Sequence, residues 1–546
     1  MFSPQFCNNR RQFLYDRQKI LQFRYIVMRL SWINEVNCAH SAKHSLLRGR
    51  YYMFKRLIII LLVSVANLAS AQQLIGLTTN NYVAVNQLQL NPAYVNNARF
   101  APEFSLFSVS MLAGNNMYSV SSKWLTSGAE TDAREGKEYM KLDNSQHKKA
   151  WVNLDIMGPA FSFTYKKQYQ IGLYTRFRTI VNAGNINTKA ATIFTSDTTN
   201  TEYYRHSIEL NKIGASAHAF GEVGITLGKM LHEDEMYKVS GGITIKYLVG
   251  YAAIDVYSKK LAYSRSGDSL FNVSGDVAAM YTYNTTPNGT GDLSQRAGKG
   301  GLGFDIGVQY HYFPDYDPNK EIEYRLSLAA SITDIGSVGY VADAGSGKYE
   351  LNATKSFVHD YEMASTDNNE PSYYLSRLGT EKIIAKNDKV EKFRIGLPTA
   401  FRLNFDYNLG DGFFISANTV LNLRGNSATV YRPQYISYIN ITPRYEIYKS
   451  IKLGVPISML RYRDITMGAI VYLGPLYVGS TTFLSSVALG GQMKDIDVYA
   501  GMGLRFIKHE RDYSRTFDNA YDEERPGLRR FIPRFLRRDK SIICPK

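Results

Sequence analysis

From residue 302 to 312 the chain alternates strictly. Leu302, Phe304, Ile306, Val308, Tyr310 and Tyr312 are apolar or aromatic, and Gly303, Asp305, Gly307, Gln309 and His311 fall between them. A two-residue period puts the first set on one face of a strand and the second on the other. Residues 401–409 repeat the pattern, with Phe401, Leu403, Phe405, Tyr407 and Leu409 against Arg402, Asn404, Asp406 and Asn408. Further runs lie at 243–251, 324–332, 413–423, 451–459 and 498–506. These runs are nine to eleven residues long, the length a tilted strand needs to cross a bilayer, whereas strands of soluble sheets average about five or six.

Two architectures produce such alternation: a soluble sandwich or barrel with its apolar face inward, or a transmembrane barrel with its apolar face toward lipid. Strand length, charged residues in mid-strand and aromatic residues at strand ends favour the second. The sequence therefore predicts an all-β fold, a transmembrane antiparallel β-barrel. Residues 72 to 507, at about 31 per strand with its connection, accommodate about fourteen strands, within a range of about twelve to sixteen. Residues 341–391 do not alternate and are expected to be a long extracellular connection.

One strand carries a slip. Val152, Leu154 and Ile156 are apolar at even positions, and beyond Gly158-Pro159 the apolar set becomes Phe161, Phe163 and Tyr165. A mid-strand proline lacks a ladder donor, so a bulge or kink is expected there.

The amino-terminal part divides before the barrel. Residues 53–71, MFKRLIIILLVSVANLASA, have basic Lys55 and Arg56, a short apolar core and Ala69-Ser70-Ala71 as a cleavage signal. This is the pattern of a secretory signal peptide cleaved after Ala71. Residues 1–52 then precede the start at Met53 and are expected to be an over-extended gene start. Later in the chain, no run of about twenty apolar residues offers a membrane helix.

Charge changes the picture little once it is located. The formal net charge is +16, but residues 1–52, Lys55, Arg56 and the tail from Lys508 carry most of it, leaving the barrel region nearly neutral. No nucleic-acid partner is expected. Tyr at 41, Phe at 27 and Gly at 42 fit a strand-rich chain. Cys7, Cys38 and Cys544 can build neither a disulfide framework nor a cysteine metal site.

Catalytic motifs are weak. Gly298, Gly300 and Gly303 satisfy G-x-G-x-x-G, but no helix follows to hold a pyrophosphate. Gly345-Ser346-Gly347-Lys348 reads as a loop turn, and the histidines show no paired metal spacing. The expectation is a non-enzyme with no cofactor and no metal. The polar faces carry Arg176, Arg178, Lys246, Asp305, Arg402, Asp406 and Arg505, read as lumen charges. Such a set forms either a hydrated ion-pair network that stiffens the barrel, the preferred reading, or a selectivity lining.

Asn91-Pro92-Ala93 just before the first strand resembles the FadL-like long-chain fatty-acid transporter family. Asp305 to Tyr310 and Ser331 to Gly336 resemble motifs of a related outer-membrane family known only as a domain of unknown function. The resemblance implies a fourteen-stranded barrel at 101–507, with residues 72–100 folded into the lumen as a plug. It further implies passive passage of hydrophobic or small molecules, with the Gly158-Pro159 kink either a lateral exit or a bulge that only adjusts barrel curvature. Residues 499–506 look like the terminal-strand signal read by the barrel assembly machinery, a partner alongside outer-membrane lipid. The basic tail, 508–546, spaces Leu528, Phe531, Ile532, Phe535 and Leu536 helically among arginines, broken by Pro533, and reads either as an amphipathic segment or as a solvated, disordered tail. An alternative function follows: a structural or interaction barrel that serves a secretion or surface-assembly machine through residues 341–391 or this tail.

Overall fold

The computed structural model describes residues 84–100, 102–121, 140–142, 148–165, 169–186, 205–234, 236–266, 270–282, 298–314, 324–356, 384–425, 432–448, 451–460, 464–488 and 492–505. All lie in the unit Ala69–Lys546. Residues 1–52, the expected signal peptide at 53–71, the tail at 508–546 and the polar run at 365–371 fall outside the described residues, as does the side chain of Arg505.

Fourteen strands form a closed wall. The first seven are β1 (Glu103–Asn115), β2 (Lys148–Tyr165), β3 (Tyr169–Ile186), β4 (Arg205–Glu233), β5 (Tyr237–Ser266), β6 (Gly298–Tyr312) and β7 (Leu326–Val341). Strand β8 is split into Lys392–Gly396 and Ala400–Gly410, and is followed by β9 (Phe413–Asn422) and β10 (Tyr438–Tyr448). Two more are split: β11 into Ile451–Gly454 and Ile457–Leu460, and β12 into Asp464–Met467 and Ala469–Leu473. Strands β13 (Leu476–Ser480) and β14 (Asp495–Arg505) complete the set. Each pairs antiparallel with the next, and β14 returns to β1 with Glu103 opposite Arg505 and Gly114 opposite Asp495. Closure leaves the wall no free edge, as a bilayer demands of every backbone polar group.

The alternation sorts the two faces as the sequence predicts. Ile245 is 53% exposed while the adjacent Lys246 is fully buried. Leu302, Phe304, Ile306 and Val308 likewise face outward, with Asp305 and Gln309 inward. A soluble sheet would bury the first set and hydrate the second, so the facing selects the membrane barrel.

Turns on one rim are short apart from the β6–β7 connection: β8 to β9 passes through Asp411 and Gly412, both with positive φ, and β12 to β13 turns at Gly474. The chain enters β1 and leaves β14 on this same rim. On the opposite rim the connections are long except from Leu460 to Asp464, and there β4 and β5 reach 29 and 30 residues, well beyond a bilayer crossing. Their distal halves continue a sheet through Leu270–Tyr281, Gly347–Ser356 and Ile384–Lys389. The connection at 341–391 is thus not simply a loop. Its Gly347–Ser356 segment is a ladder strand, invisible to a pattern search because strands above the lipid need no apolar outer face.

Candidate functional site

The interior is built in layers. Nearest the short-turn rim lie residues 84–100, in two 3-10 turns, Ala84–Gln87 and Pro92–Phe100. Val85, Leu88, Leu90, Ala93 and Val95 are fully buried. Room for them comes from inward-facing glycines: a Cβ on Gly172, Gly228, Gly242 or Gly307 would collide with Leu88, Val95, Pro92 or Asn91 respectively. The Asn91 amide donates to the carbonyls of Val308 and Ala330, both at 3.2 Å, and its Oδ1 accepts from the Ala93 N–H at 2.9 Å. Ser331 donates to the Leu90 carbonyl at 2.7 Å, and the Val85 N–H donates to Glu103 Oε2 at 2.8 Å. The Asn91-Pro92-Ala93 motif is therefore the fastening of this segment to β5, β6 and β7.

Above it runs a belt of buried charge. Arg176 binds Asp155 through two donors and meets Glu222 at 3.1 Å. Arg178 forks onto both carboxylate oxygens of Asp334 at 3.0 Å and reaches Glu222 at 3.5 Å. Lys246 lies 2.8 Å from Asp305 and 2.7 Å from Asp334. Tyr435, on the β9–β10 connection, donates to Asp334 and accepts from Arg178. Its ring lies between two guanidinium groups, with Arg402 at 5.3 Å and Arg178 at 5.7 Å from the centroid. Arg402 also donates to Thr333 at 3.1 Å. Four of the seven predicted lumen charges thus meet in one network, with Arg402 at its edge.

Asp406 belongs to a second cluster nearer the short-turn rim. It accepts from Arg444 at 3.1 Å and from the hydroxyls of Tyr324 and Ser416. Arg444 and Lys452 also reach Glu446, at 3.0 and 3.4 Å. Arg505 ends β14 opposite Glu103, and its side chain lies outside the described residues.

Beyond the belt, toward the long-loop rim, the lumen turns apolar. Ile180, Phe220, Leu248, Ala253, Val338, Tyr340, Phe393, Ile395 and Leu397 pack as one cluster.

The wall itself is irregular just below the belt. The β2–β3 register slips between Met157 and Ala160, so that Gly158 and Pro159 together oppose Thr175. Thr175 Oγ1 donates to the Pro159 carbonyl at 3.3 Å, and a Cβ on Gly158 would strike that same hydroxyl. Toward β1 the ladder has a gap between Ser105–Ala160 and Ser108–Met157. At this same height β1 slips against β14, between Ser105 and Phe107. Adjacent strands thus bulge side by side. Outside stand Leu106, Phe107 and Phe161, each about 40 to 48% exposed. Inside, Met157, Ala160 and Tyr174 pack against Val85, Leu88 and Val95.

Sequence reasoning missed Asp155, Glu222, Asp334 and Tyr435. Asp155 sits between Leu154 and Ile156, and Glu222 precedes the outward run Val223, Ile225 and Leu227, a signal that alternation carries. Asp334 does not: by parity with Leu328, Ala330 and Ile332 it belongs outside. A bulge between Ile332 and Ile335 turns both Thr333 and Asp334 inward, with Asp334 at φ 61° and Gly336 at φ 150°. The visible trace is apolar spacing of three between Ile332 and Ile335.

A closed fourteen-stranded wall, lipid-facing outside and polar within, defines an outer-membrane β-barrel. Residues 92–481 match a family of unknown function, DUF5723, and the chain belongs to that family. No curated protein matches it. Among solved structures, the toluene transporter TbuX of Ralstonia pickettii is 9% identical, with 77% of this chain and 93% of that one covered at a TM-score of 0.37. A FadL homologue of Pseudomonas aeruginosa is 9% identical, covering 78% and 94% at 0.34. The translocator domain of the autotransporter NalP from Neisseria meningitidis is 8% identical, covering 78% and 100% at 0.29. Likeness at that level carries no argument, and the barrel stands on its own hydrogen-bonded ring.

Proposed function

We propose that this barrel is a passive route for small hydrophobic molecules between the membrane and the short-turn mouth, entered through the wall at the paired bulges and stoppered by residues 84–97. The observation that supports it is the coincidence of two register slips, in β1 and β2, with apolar side chains on both sides of the wall. The buried charge belt above the bulge disfavours an apolar solute passing straight along the axis, because stripping hydration or partners from those groups is costly. A side entry below the belt avoids it. Short turns face the periplasm in outer-membrane barrels, so the route would deliver cargo there. The stopper would leave its glycine cradle as cargo enters, and the chain's own work is binding and exclusion, with no bond made or broken.

The test is Pro159→Val. Valine restores a ladder donor worth about 0.5–1.5 kcal/mol and favours the strand, so the gap beside β1 should close. Uptake of a hydrophobic fluorescent probe, in cells with matched folded barrel, should fall. A variant that folds normally and transports as well as the parent overturns the side entry.

The projecting sheet of β4 and β5 favours a second reading, a barrel that serves a secretion or surface-assembly partner. That reading expects the parent to carry no probe and to co-isolate with a stoichiometric partner.

A further inference from the structure

The glycine-rich run at the start of β6 has no part in the proposed route. Gly300 lies at φ 81°, and the β6–β7 register slips between Gly339 and Tyr340, which pair with Gly300 and Gly298. Lys299 is therefore the extra residue of a bulge, and a bulge re-aims the side chain it inserts. Lys299 is exposed on the outer face beside Gly339, and across β7 from it the register places Lys392 opposite Val341 and Arg394 opposite Gly339, both exposed as well. Arg394, two residues on, faces outward in the same row and donates from Nε to Ser337 at 3.1 Å. Between Lys299 and Arg394 the facing residue of β7 is Gly339, bare of any side chain. Three cations thus surround a glycine floor.

Among the described residues no carboxylate is paired with any of the three. Of the nearest acids along the chain, Asp388 pairs with Lys348 at 3.1 Å and Glu391 lies 4.0 Å from Lys389. Three cations gathered on one outward patch without a paired acid favour an anion among them. The cluster's height indicates which one. Directly below it the outer face becomes continuously apolar, through Leu302, Phe304 and Ile306 on β6 and Ile335 on β7, all 40% exposed or more. An anion held here stands at the boundary of the acyl chains, where a lipid carries its phosphate.

We propose that Lys299, Lys392 and Arg394 form an outward-facing site for the phosphate of a lipid headgroup in the long-loop leaflet. The lipid's chains would lie against the apolar rows of β6 and β7, which separates this ligand from a free anion. Arginine supplies a forked contact and the lysines point charge.

The test is native mass spectrometry of the whole protein, refolded in detergent and titrated with phosphatidic acid or phosphatidylcholine. Folding is checked by heat-modifiable migration. The parent should retain one phosphatidic acid in preference to phosphatidylcholine. The triple variant Lys299→Gln, Lys392→Gln, Arg394→Gln should lose at least tenfold in affinity, while Lys348→Gln with Lys389→Gln should not. If the triple variant does not fold, Lys392→Gln alone should lose at least threefold. Undiminished binding by a folded triple variant, or by Lys392→Gln, overturns the proposal, as does equal retention of phosphatidylcholine. Displacement of the lipid by millimolar inorganic phosphate also overturns it, because the site would then hold a free anion.

Discussion

Asp334 is the junction of the interior network, and replacing it with asparagine isolates its charge. Asparagine tolerates the left-handed backbone at least as well as aspartate, so the φ of 61° is not the variable. The carboxylate accepts two bonds from Arg178, one from Lys246 and one from Tyr435. The Asp334→Asn side chain would keep one acceptor and turn an amide donor toward a guanidinium. The belt balances Arg176, Arg178, Lys246 and Arg402 against Asp155, Glu222, Asp305 and Asp334. Loss of one acid leaves a buried positive charge uncompensated, and breaking a buried pair from one side costs about 3–5 kcal/mol. The assay is reversible guanidinium unfolding in lipid vesicles, followed by tryptophan fluorescence and heat-modifiable migration. Lys246→Met in the Asp334→Asn background restores the balance, so the double variant should be less destabilised than the two single losses added together, with a coupling of about 1–3 kcal/mol. If Asp334→Asn unfolds within 1 kcal/mol of the parent (roughly a fivefold change in equilibrium), the belt does not hold the wall together and the reasoning fails.

Three other outcomes follow from the same geometry. Phe304→Arg places a charge on the lipid face of β6 and should cost about 2–4 kcal/mol, read as a lowered unfolding midpoint in vesicles; no change would put that face in water. Gly242→Val drives a side chain into the Pro92 backbone and should free residues 84–97 for protease cleavage while the wall still forms; unchanged protection would mean the cradle is not what holds them. Tyr435→Phe removes the hydroxyl shared by Arg178 and Asp334 and should cost about 1–3 kcal/mol by leaving buried donors short of a partner; a more stable protein would show that the hydroxyl is superfluous.

The wall was legible because lipid enforces a two-residue period on each strand it touches. Runs such as 302–312 announce both strand and facing. Gly158-Pro159 was legible for the same reason, since a slip stands out only against a strict pattern. The interior was half legible. Alternation marks Arg176, Arg178 and Lys246 as inward, yet says nothing of which strands face one another across the lumen, so it cannot pair them with Asp334 or Tyr435. Asp334 was hidden by its own bulge, and Tyr435 by lying in a connection with no period. Above the membrane, Gly347–Ser356 lacked the lipid that makes strands readable.

Closure by β14 against β1 joins residues at opposite ends of the barrel sequence, Glu103 with Arg505. The cradle of residues 84–97 draws instead on Gly172, Gly228, Gly242 and Gly307, all in strands from the first half of the ring. A chain assembled in order can therefore seat its amino-terminal segment on an open, curling sheet before the seam exists. The last strands would then shut the ring around a segment already seated, and Tyr477 and Tyr499 would close over Leu90 only at that step. In that order the Asn91 fastening to β6 and β7 would form before the seam, whereas a seam zipped first would leave the segment threading a finished mouth against a buried polar interior.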